Sequence, residues 1–265
     1  MKPLMRDKDA LFKGSKAKEY DLFTKAVPHH ENFQYTVGQL VNSSTICPAA
    51  ASGKKVTLAE GGIGTGCTLR EVVIGASAFG LATVFPNNRF PLPSALKFAK
   101  SRGLPGVERI YAVDASPAMI DICKRDFDIP QLEFVTAGLR SFFEASAQLD
   151  GVYSAYTIHN MAQEDQVTIF KAIYARLRPG GCFVDGDLLA YSDPELQRIT
   201  FQWQQEMVRK ELPHDLAEQW IDHYNQDTPR YFTVEQLLSI LSSIGFDAKL
   251  EYREKLEAVI LARKP

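Results

Sequence analysis

Residues 56–66 read Val-Thr-Leu-Ala-Glu-Gly-Gly-Ile-Gly-Thr-Gly, and this stretch decides the fold. Its apolar first half is typical of a buried strand, which ends at the acidic Glu60. Gly62, Gly64 and Gly66 follow at alternate positions and indicate a tight turn whose main-chain N–H groups a ligand can approach closely. A helical pattern comes next. A strand, a glycine-rich turn and a helix in this order predict a nucleotide site at the carboxyl ends of the strands of an α/β sheet.

A second strand-like run ends in an acid, Asp114. Ser116 and Pro117 follow, and these residue types are favoured at a helix N-cap and at the first helical position. In a dinucleotide-binding motif the ribose-binding acid lies about 20 residues after a G-x-G-x-x-G turn. Here the glycines alternate as G-x-G-x-G, and Asp114 lies much further from them. The spacing therefore disfavours a nicotinamide dinucleotide, although an insertion could stretch the unit.

Four segments of the chain resemble the motifs of the class I S-adenosylmethionine-dependent methyltransferases, in the family's order: residues 60–66, 114–120, 154–161 and 177–183. The resemblance spans roughly residues 20–190 and implies a doubly wound, Rossmann-like α/β fold. In this family the sheet has seven strands, ends in a C-terminal antiparallel hairpin and carries helical caps. The resemblance also implies S-adenosyl-L-methionine as co-substrate and a methyltransferase reaction on a small molecule.

The same resemblance assigns residues to the cofactor. Glu60 is expected near its amino group, and Asp114 is expected to accept hydrogen bonds from both ribose hydroxyls. Many members carry an acid for the adenine amino group where this chain has Gly138. Adenine is therefore expected to meet the main chain there, or a side chain from elsewhere. The cofactor-binding set comprises Glu60, Gly62, Gly64, Gly66, Asp114, Ala115, Met119, Gly138, Leu139 and Tyr156.

The expected catalytic residues are His159, Tyr156 and Tyr20. His159 is the candidate base, with simple packing as the alternative. Tyr156 is expected to face the methyl group. Tyr20 lies in a segment similar to the family's Ala-x-x-Tyr-Asp and would close over the ligand's amino-acid end, or serve as a core aromatic. The expected substrate-binding residues are His29, His30, Asn160, Tyr224 and Arg230.

The pattern divides the chain into four parts. Residues 1–45 form an N-terminal helical cap, and residues 46–190 form the cofactor-binding core with an insertion near 86–106. Residues 191–232 form a helical acceptor cap, and residues 233–265 add the last helix and the closing strands. Ser94 is expected to cap a helix within the insertion, whose role as a lid wall, dimer contact or passive loop stays open. Thr233 and Gln236 form a capping-box pattern.

Two acids, Asp185 and Asp187, end the predicted fifth strand over residues 182–185. They indicate a polar floor for the acceptor, a hard-metal site or a simple strand-end turn. Two carboxylates alone make a poor cation cage, so no metal is predicted. The adjacent His29 and His30 are read as substrate contacts rather than a metal pair.

Composition excludes several functions. The 265 residues include 30 basic and 32 acidic side chains, and this balance argues against a general nucleic-acid binder. Charges interrupt the N-terminus, the longest apolar run is too short to span a bilayer, and the four cysteines lack C-x-x-C spacing. We expect a cytoplasmic protein with a small-molecule acceptor and no nucleic-acid or membrane partner. A homodimer stays open.

Two other functions remain open at this stage. The carbons on the other side of the sulfonium are also electrophilic, so the enzyme could transfer an aminocarboxypropyl group, close a ring or modify the sulfonium itself. A nucleotide-binding protein without catalysis is the third class. The acceptor and its reacting atom are not indicated by the sequence.

Overall fold

The fold is a seven-stranded sheet with helices on both faces. The computed structural model describes residues 22, 24, 26–81 and 91–265. Within them the strand order is β3-β2-β1-β4-β5-β7-β6. The strands are β1 Val56–Gly61, β2 Val107–Asp114, β3 Leu132–Thr136, β4 Leu149–Ala155, β5 Leu177–Leu188, β6 Asp247–Glu254 and β7 Glu257–Arg263.

Strands β1 to β5 are mutually parallel, and β7 runs antiparallel between β5 and β6. The predicted doubly wound sheet with a closing hairpin is therefore confirmed. The strand order reverses beside β1, where β2 and β4 lie on opposite sides of it. Such a switch point opens a crevice at the carboxyl ends of the strands, where ligands bind in α/β folds.

Ten α-helices are described. They are α1 His30–Val41, α2 Cys47–Ala51, α3 Cys67–Leu81, α4 Leu92–Arg102, α5 Pro117–Asp126, α6 Leu139–Ala145, α7 Gln163–Arg176, α8 Pro194–Glu211, α9 His214–Asp227 and α10 Val234–Ile244. A π-helical segment, Asn42–Ile46, joins α1 to α2, and short 3₁₀ turns cover Ile158–Asn160 and Thr228–Arg230.

Two apolar cores sandwich the sheet because neighbouring strand residues point to opposite faces. Leu58 packs into the core that contains Phe33 of α1, whereas Ala59 packs into the core that contains Phe170 of α7. Each core buries large side chains completely, and this burial is the main favourable contribution to folding. The two cores hold the carboxyl ends of β1, β2 and β4 in fixed register.

Helix-capping predictions succeed at two places and fail at one. The Ser116 side chain accepts from the Met119 N–H, and the capping box of Thr233 and Gln236 is present. Ser94 does not cap α4: that helix begins at Leu92, and its N-cap, Pro91, makes no side-chain bond. A proline in the first turn is compatible with helical geometry, so the helix begins earlier than Ser94.

Strand β5 is longer than the predicted run of residues 182–185 and includes both acids. Asp185 pairs with Ile260 and Asp187 pairs with Ala258 of β7. The reading of these acids as a strand-end turn is therefore wrong, because pairing with β7 continues the strand through them.

Candidate active site

The glycine-rich turn follows β1 and is fixed to the end of β2. The N–H groups of Gly62 and Ile63 donate to the Val113 carbonyl at 2.8 and 2.9 Å. Gly62, Gly64 and Gly66 have φ values of 74°, 52° and 88°, in the left-handed region that favours glycine. The sequence therefore places glycine at the positions whose backbone requires it.

Two of these glycines are also required by packing within the protein. A Cβ atom at Gly66 would lie 2.6 Å from the Phe127 ring and 2.9 Å from Cys123 Sγ. A Cβ atom at Gly62 would overlap the side chain of Thr157. The turn is thus held closely against α5 and against the segment after β4.

Asp114 connects the glycine-rich turn to the start of α5. Its Oδ2 accepts from the Gly64 N–H at 2.9 Å, and its Oδ1 accepts from the Ser116 N–H at 2.8 Å. These two main-chain donors orient the carboxylate. Because each carboxylate oxygen has two lone pairs, a carboxylate can accept from main-chain donors and from a ligand at the same time.

Glu60 lies beneath the same turn and is buried. Within the described part of the chain its Oε2 has no hydrogen-bond partner. Burial raises the pKa of Glu60 well above its ordinary value; nearby Asp114 raises it further, and the Tyr153 hydroxyl partly offsets the shift. A buried acid with an unused oxygen beside a ligand turn fits a group with N–H donors, such as an ammonium.

The other expected cofactor residues gather at the same edge of the sheet. Ala115 directly follows Asp114, and Met119 is buried in the first turn of α5. Gly138 precedes α6, and the Leu139 side chain lies 3.2 Å from the position of a Cβ at Gly61. The motifs named from the sequence therefore meet at the carboxyl ends of β1, β2 and β3.

An aromatic cavity lies beyond the ends of β4 and β5, beside helix α9. The space around its lining is about 430 Å³ only when open solvent is counted with it. The residues central to it are Tyr156, His159, Asn160, Trp220, Tyr224 and Tyr231. A partly enclosed pocket with aromatic walls and a few polar groups is typical of small-molecule sites.

His159 is paired with Asp187, and both side chains are buried. The Asp187 carboxylate hydrogen-bonds His159 Nδ1, and its Oδ2 accepts from the His159 main-chain N–H at 2.9 Å. An ionised carboxylate only accepts, so a charged Asp187 would favour the tautomer of His159 with the proton on Nδ1. His159 lines the cavity, and its Nε2 then holds a lone pair that can accept a proton from a ligand.

One segment, residues 156–160, joins the glycine-rich turn to the cavity. Thr157 Oγ1 donates to the Ala155 carbonyl at 2.9 Å and lies 3.4 Å from the Gly62 carbonyl oxygen, while Tyr156, His159 and Asn160 line the cavity. Tyr156 has a φ of 51°, which is unusual for a bulky residue and is found chiefly where the surroundings enforce it. Its N–H donates to the Gly186 carbonyl at 2.9 Å, which anchors this conformation.

The expected substrate residues divide into two groups. His30, Asn160 and Tyr224 line the cavity, and the His30 ring is stacked on Tyr156 with centroids 5.5 Å apart. His29 and Arg230 are not among its lining residues.

His29 and Arg230 contact neighbouring residues instead. His29 Nε2 lies 3.7 Å from a Glu254 carboxylate oxygen. Arg230 pairs with Asp227 and donates to the Asn160 carbonyl at 2.9 Å. Tyr20 lies outside the described residues. Sequence reasoning left Asp187 open as a polar floor for the acceptor. It did not assign Tyr231, His223 or Trp220 to the site, although these types are common ligand contacts.

The described residues contain neither a metal-ligand cluster nor a membrane-spanning helix. No group of three or more His, Cys, Asp or Glu side chains is placed to hold a metal ion within residues 22, 24, 26–81 and 91–265. Of the helices in those ranges, none is both long and apolar enough to cross a membrane.

A protein-family model described as a methyltransferase domain matches residues 94–181, about a third of the chain. Among solved structures, the plantazolicin methyltransferase BpumL in complex with S-adenosylhomocysteine superposes with a TM-score of 0.58 at 11% identity, over 96% of this chain and 92% of that one. The chain has the fold of the class I S-adenosylmethionine-dependent methyltransferases. The magnesium protoporphyrin IX methyltransferase from Synechocystis PCC 6803 agrees, with a TM-score of 0.54, 12% identity and coverage of 98% and 100%.

The curated relatives that the chain matches are named for a different activity. A carboxy-S-adenosyl-L-methionine synthase from Erwinia tasmaniensis is 28% identical over 105 residues, which is 38% of this chain and 42% of that protein. The synthase from Vibrio cholerae O395 is 30% identical over 96 residues, 34% of this chain and 38% of that protein. The alignments thus cover about two fifths of these relatives.

Proposed function

We propose that this protein is an S-adenosylmethionine-dependent methyltransferase that acts on a small molecule. The observation that carries the proposal is the segment of residues 156–160, which contacts the glycine-rich turn at Thr157 and lines the cavity at Tyr156, His159 and Asn160. A donor above the turn and an acceptor in the cavity would meet across this segment. Alignment of two reactants is worth up to about 7–11 kcal/mol of the barrier.

The residues at the sheet edge fit the proposed donor. Asp114 would bind the ribose hydroxyls, since its carboxylate is already oriented by Gly64 and Ser116. The unused Oε2 of buried Glu60 would face the amino group, and Gly138 and Leu139 would border adenine. When bound, S-adenosylmethionine supplies a methyl group that its sulfonium has already activated.

His159 and Asp187 give the acceptor side its chemistry. His159 Nε2 would take the proton that a hydroxyl, amine or thiol loses as it is methylated. Asp187 would hold the tautomer that leaves Nε2 ready to accept, through its bond to Nδ1. Tyr156 would border the transferred methyl group, because its main chain lies at the end of β4 next to the turn.

Substitution of this pair tests the assignment. We expect His159→Gln to lower kcat by about 100-fold because general-base catalysis contributes that much or more, with the Kd for S-adenosylmethionine unchanged. Asp187→Asn should lower kcat less and shift the pH profile, since it acts through His159. His214→Gln, on the exposed start of α9, is the matched control. Turnover that survives His159→Gln would remove the base role.

A second function is favoured by the curated relatives, which are carboxy-S-adenosyl-L-methionine synthases and not methyltransferases. Their product, as its name states, keeps the sulfonium compound and adds a carboxyl group. The glycine-rich turn and Asp114 would serve this reaction equally well, because both reactions bind the same nucleoside. The two functions differ in what becomes of the methyl group.

The deciding experiment is product identification. The purified protein is incubated with S-adenosylmethionine and a small-molecule cell extract, and the nucleosides are separated by mass spectrometry against a no-enzyme control. We expect S-adenosylhomocysteine. Methylthioadenosine would show that the three-carbon arm reacts, and a sulfonium product heavier by a carboxyl group would show the synthase activity. Either of these would replace methyl transfer as the function.

A further inference from the structure

The lining of the aromatic cavity restricts what the acceptor can be. Trp220, Tyr224, Tyr156 and Tyr231 provide aromatic walls, and the Trp220 and Tyr224 rings meet edge to face with centroids 5.3 Å apart. Leu188 adds an aliphatic surface. Such walls bind flat rings through stacking and edge contacts as well as through burial. Among the described residues that line it are three histidines but no lysine or arginine, so an anion placed against these walls would have no permanently charged partner.

Asn160 and Tyr231 each offer a ligand a buried polar atom in addition to His159 Nε2. Asn160 Nδ2 donates to the Tyr156 and Thr157 carbonyls at 3.3 and 3.1 Å. These bonds orient the amide, and Asn160 Oδ1 is a buried acceptor without a partner in the described part of the chain. The hydroxyl of Tyr231 is likewise buried and unpaired among the described residues.

The hydroxyl of Tyr231 supplies the complementary donor. The ring is 5% exposed and meets the His159 ring edge to face, with centroids 5.3 Å apart. Burial raises the pKa of Tyr231 well above its ordinary value, so the group keeps its proton. His159 Nε2 and Asn160 Oδ1 can therefore accept from a ligand, and the Tyr231 hydroxyl can donate to it. Thr24, His30 and His223 add further polar side chains to the lining.

We propose that the acceptor is a neutral aromatic hydroxyl compound that carries a second hydroxyl-type substituent; this rests on the proposed methyltransferase function. The reacting hydroxyl donates its proton to His159 Nε2 while its oxygen bonds to the methyl carbon. The methyl–sulfur bond breaks with its electron pair staying on sulfur, which yields an aryl methyl ether and S-adenosylhomocysteine. The second hydroxyl donates to Asn160 and accepts from Tyr231.

The acceptor class is tested directly by measuring binding in the absence of a methyl donor. The full protein is saturated with S-adenosylhomocysteine, so no methyl group is present, and is titrated calorimetrically with phenol, catechol, resorcinol, hydroquinone, cyclohexanol and benzoate. We expect at least one benzenediol to bind about fivefold more tightly than phenol, as one extra buried hydrogen bond gives. Cyclohexanol and benzoate should bind at least about tenfold more weakly than that benzenediol.

Removal of the Tyr231 hydroxyl tests whether the cavity causes the preference for a benzenediol over phenol. Tyr231→Phe keeps the ring and removes the donor, so it should reduce the benzenediol preference over phenol to about twofold or less. Tyr191→Phe is the matched control, because Tyr191 contacts Arg253 and does not line the cavity. It should leave the preference unchanged.

Three results would overturn the proposal. They are benzoate binding more tightly than phenol, cyclohexanol binding as tightly as phenol, and a benzenediol preference that survives Tyr231→Phe. If S-adenosylmethionine binds and S-adenosylhomocysteine forms from an extract while none of the panel binds, the acceptor class is wrong and methyl transfer stands. If S-adenosylmethionine itself does not bind, the proposed function fails and the acceptor class with it.

Discussion

The glycine-rich edge of the sheet and the aromatic cavity are built in different ways. The edge is formed from short contiguous motifs, and its contacts are main-chain bonds such as that from Gly64 N–H to Asp114. The cavity is formed by side chains from Thr24 to Tyr231, so it draws on most of the described chain. A site built from backbone and local motifs can be read in a sequence, whereas a site built from distant side chains depends on packing.

The largest expected effect is a loss of cofactor binding at the glycine-rich edge of the sheet, with the cavity unchanged. Asp114→Ala removes an acceptor from two main-chain donors and from the proposed ribose hydroxyls. We expect the Kd for S-adenosylmethionine to rise at least about 100-fold, since hydrogen bonds to a charged group contribute about 1.5–3 kcal/mol each. Isothermal titration measures this.

Asp121→Ala, on the exposed face of α5, should leave the Kd unchanged and serves as the control. An unchanged Kd in Asp114→Ala would remove the ribose assignment. Benzenediol binding to the cavity should persist in a folded Asp114→Ala protein, which would show that the two regions are separable.

The next prediction compares two costs to the free energy of unfolding, that of close packing at the glycine-rich turn and that of backbone strain alone. Gly66→Ala combines a φ of 88° with a Cβ placed 2.6 Å from Phe127, so we expect a loss of about 2–3 kcal/mol in the free energy of unfolding. Gly53→Ala has a φ of 69° with no atom within 4 Å of the new Cβ, and should lose about 1 kcal/mol. Urea denaturation compares them, and equal losses would contradict the packing argument.

A smaller effect concerns the buried acid Glu257. It follows Leu256, whose side chain packs with Tyr224 and Tyr231. Burial raises the pKa of Glu257 from 4.5 to about 8. The folded protein then holds this proton more tightly than the unfolded chain, so the stabilisation is complete below about pH 4.5 and is lost as the pH rises toward 8. Glu257→Gln should remove this slope, worth about 2 kcal/mol between pH 6 and 8.

Urea midpoints at pH 5, 6.5 and 8 measure the slope for wild type and variant. Glu211→Gln, an exposed acid at the end of α8, should keep the wild-type slope. A constant difference between wild type and Glu257→Gln at all three pH values would show that Glu257 titrates normally in the fold.

The sequence predicted the fold well because its signals are local. Strand β1, the alternating glycines and the cap at Ser116 are encoded within a few neighbouring residues, and the structure has the predicted sheet with its closing hairpin. Errors arose where competing local signals met. Pro91 and Leu92 start α4 before Ser94, and β7 extends β5 through Asp187.

The candidate site was predictable on one side only. Asp114 and Glu60 were named from motifs, and the structure brings them to the same turn. Asp187 was visible as part of an acidic pair, but its bond to His159 follows from the registers of β4 and β5. Trp220 and Tyr231 could not be told from ordinary core aromatics, because a helical pattern does not say which cavity a buried ring faces.

The sequence by itself determined strand β1, the glycine-rich turn and the acids Glu60 and Asp114 at the strand ends. These depend on backbone conformations that neighbouring residues impose. Only the tertiary structure decided that His159 pairs with Asp187, that His29 and Arg230 do not line the cavity, and that Tyr231 and Trp220 do. The reason is physical: the direction of a buried side chain is set by close packing among segments that are distant in the chain.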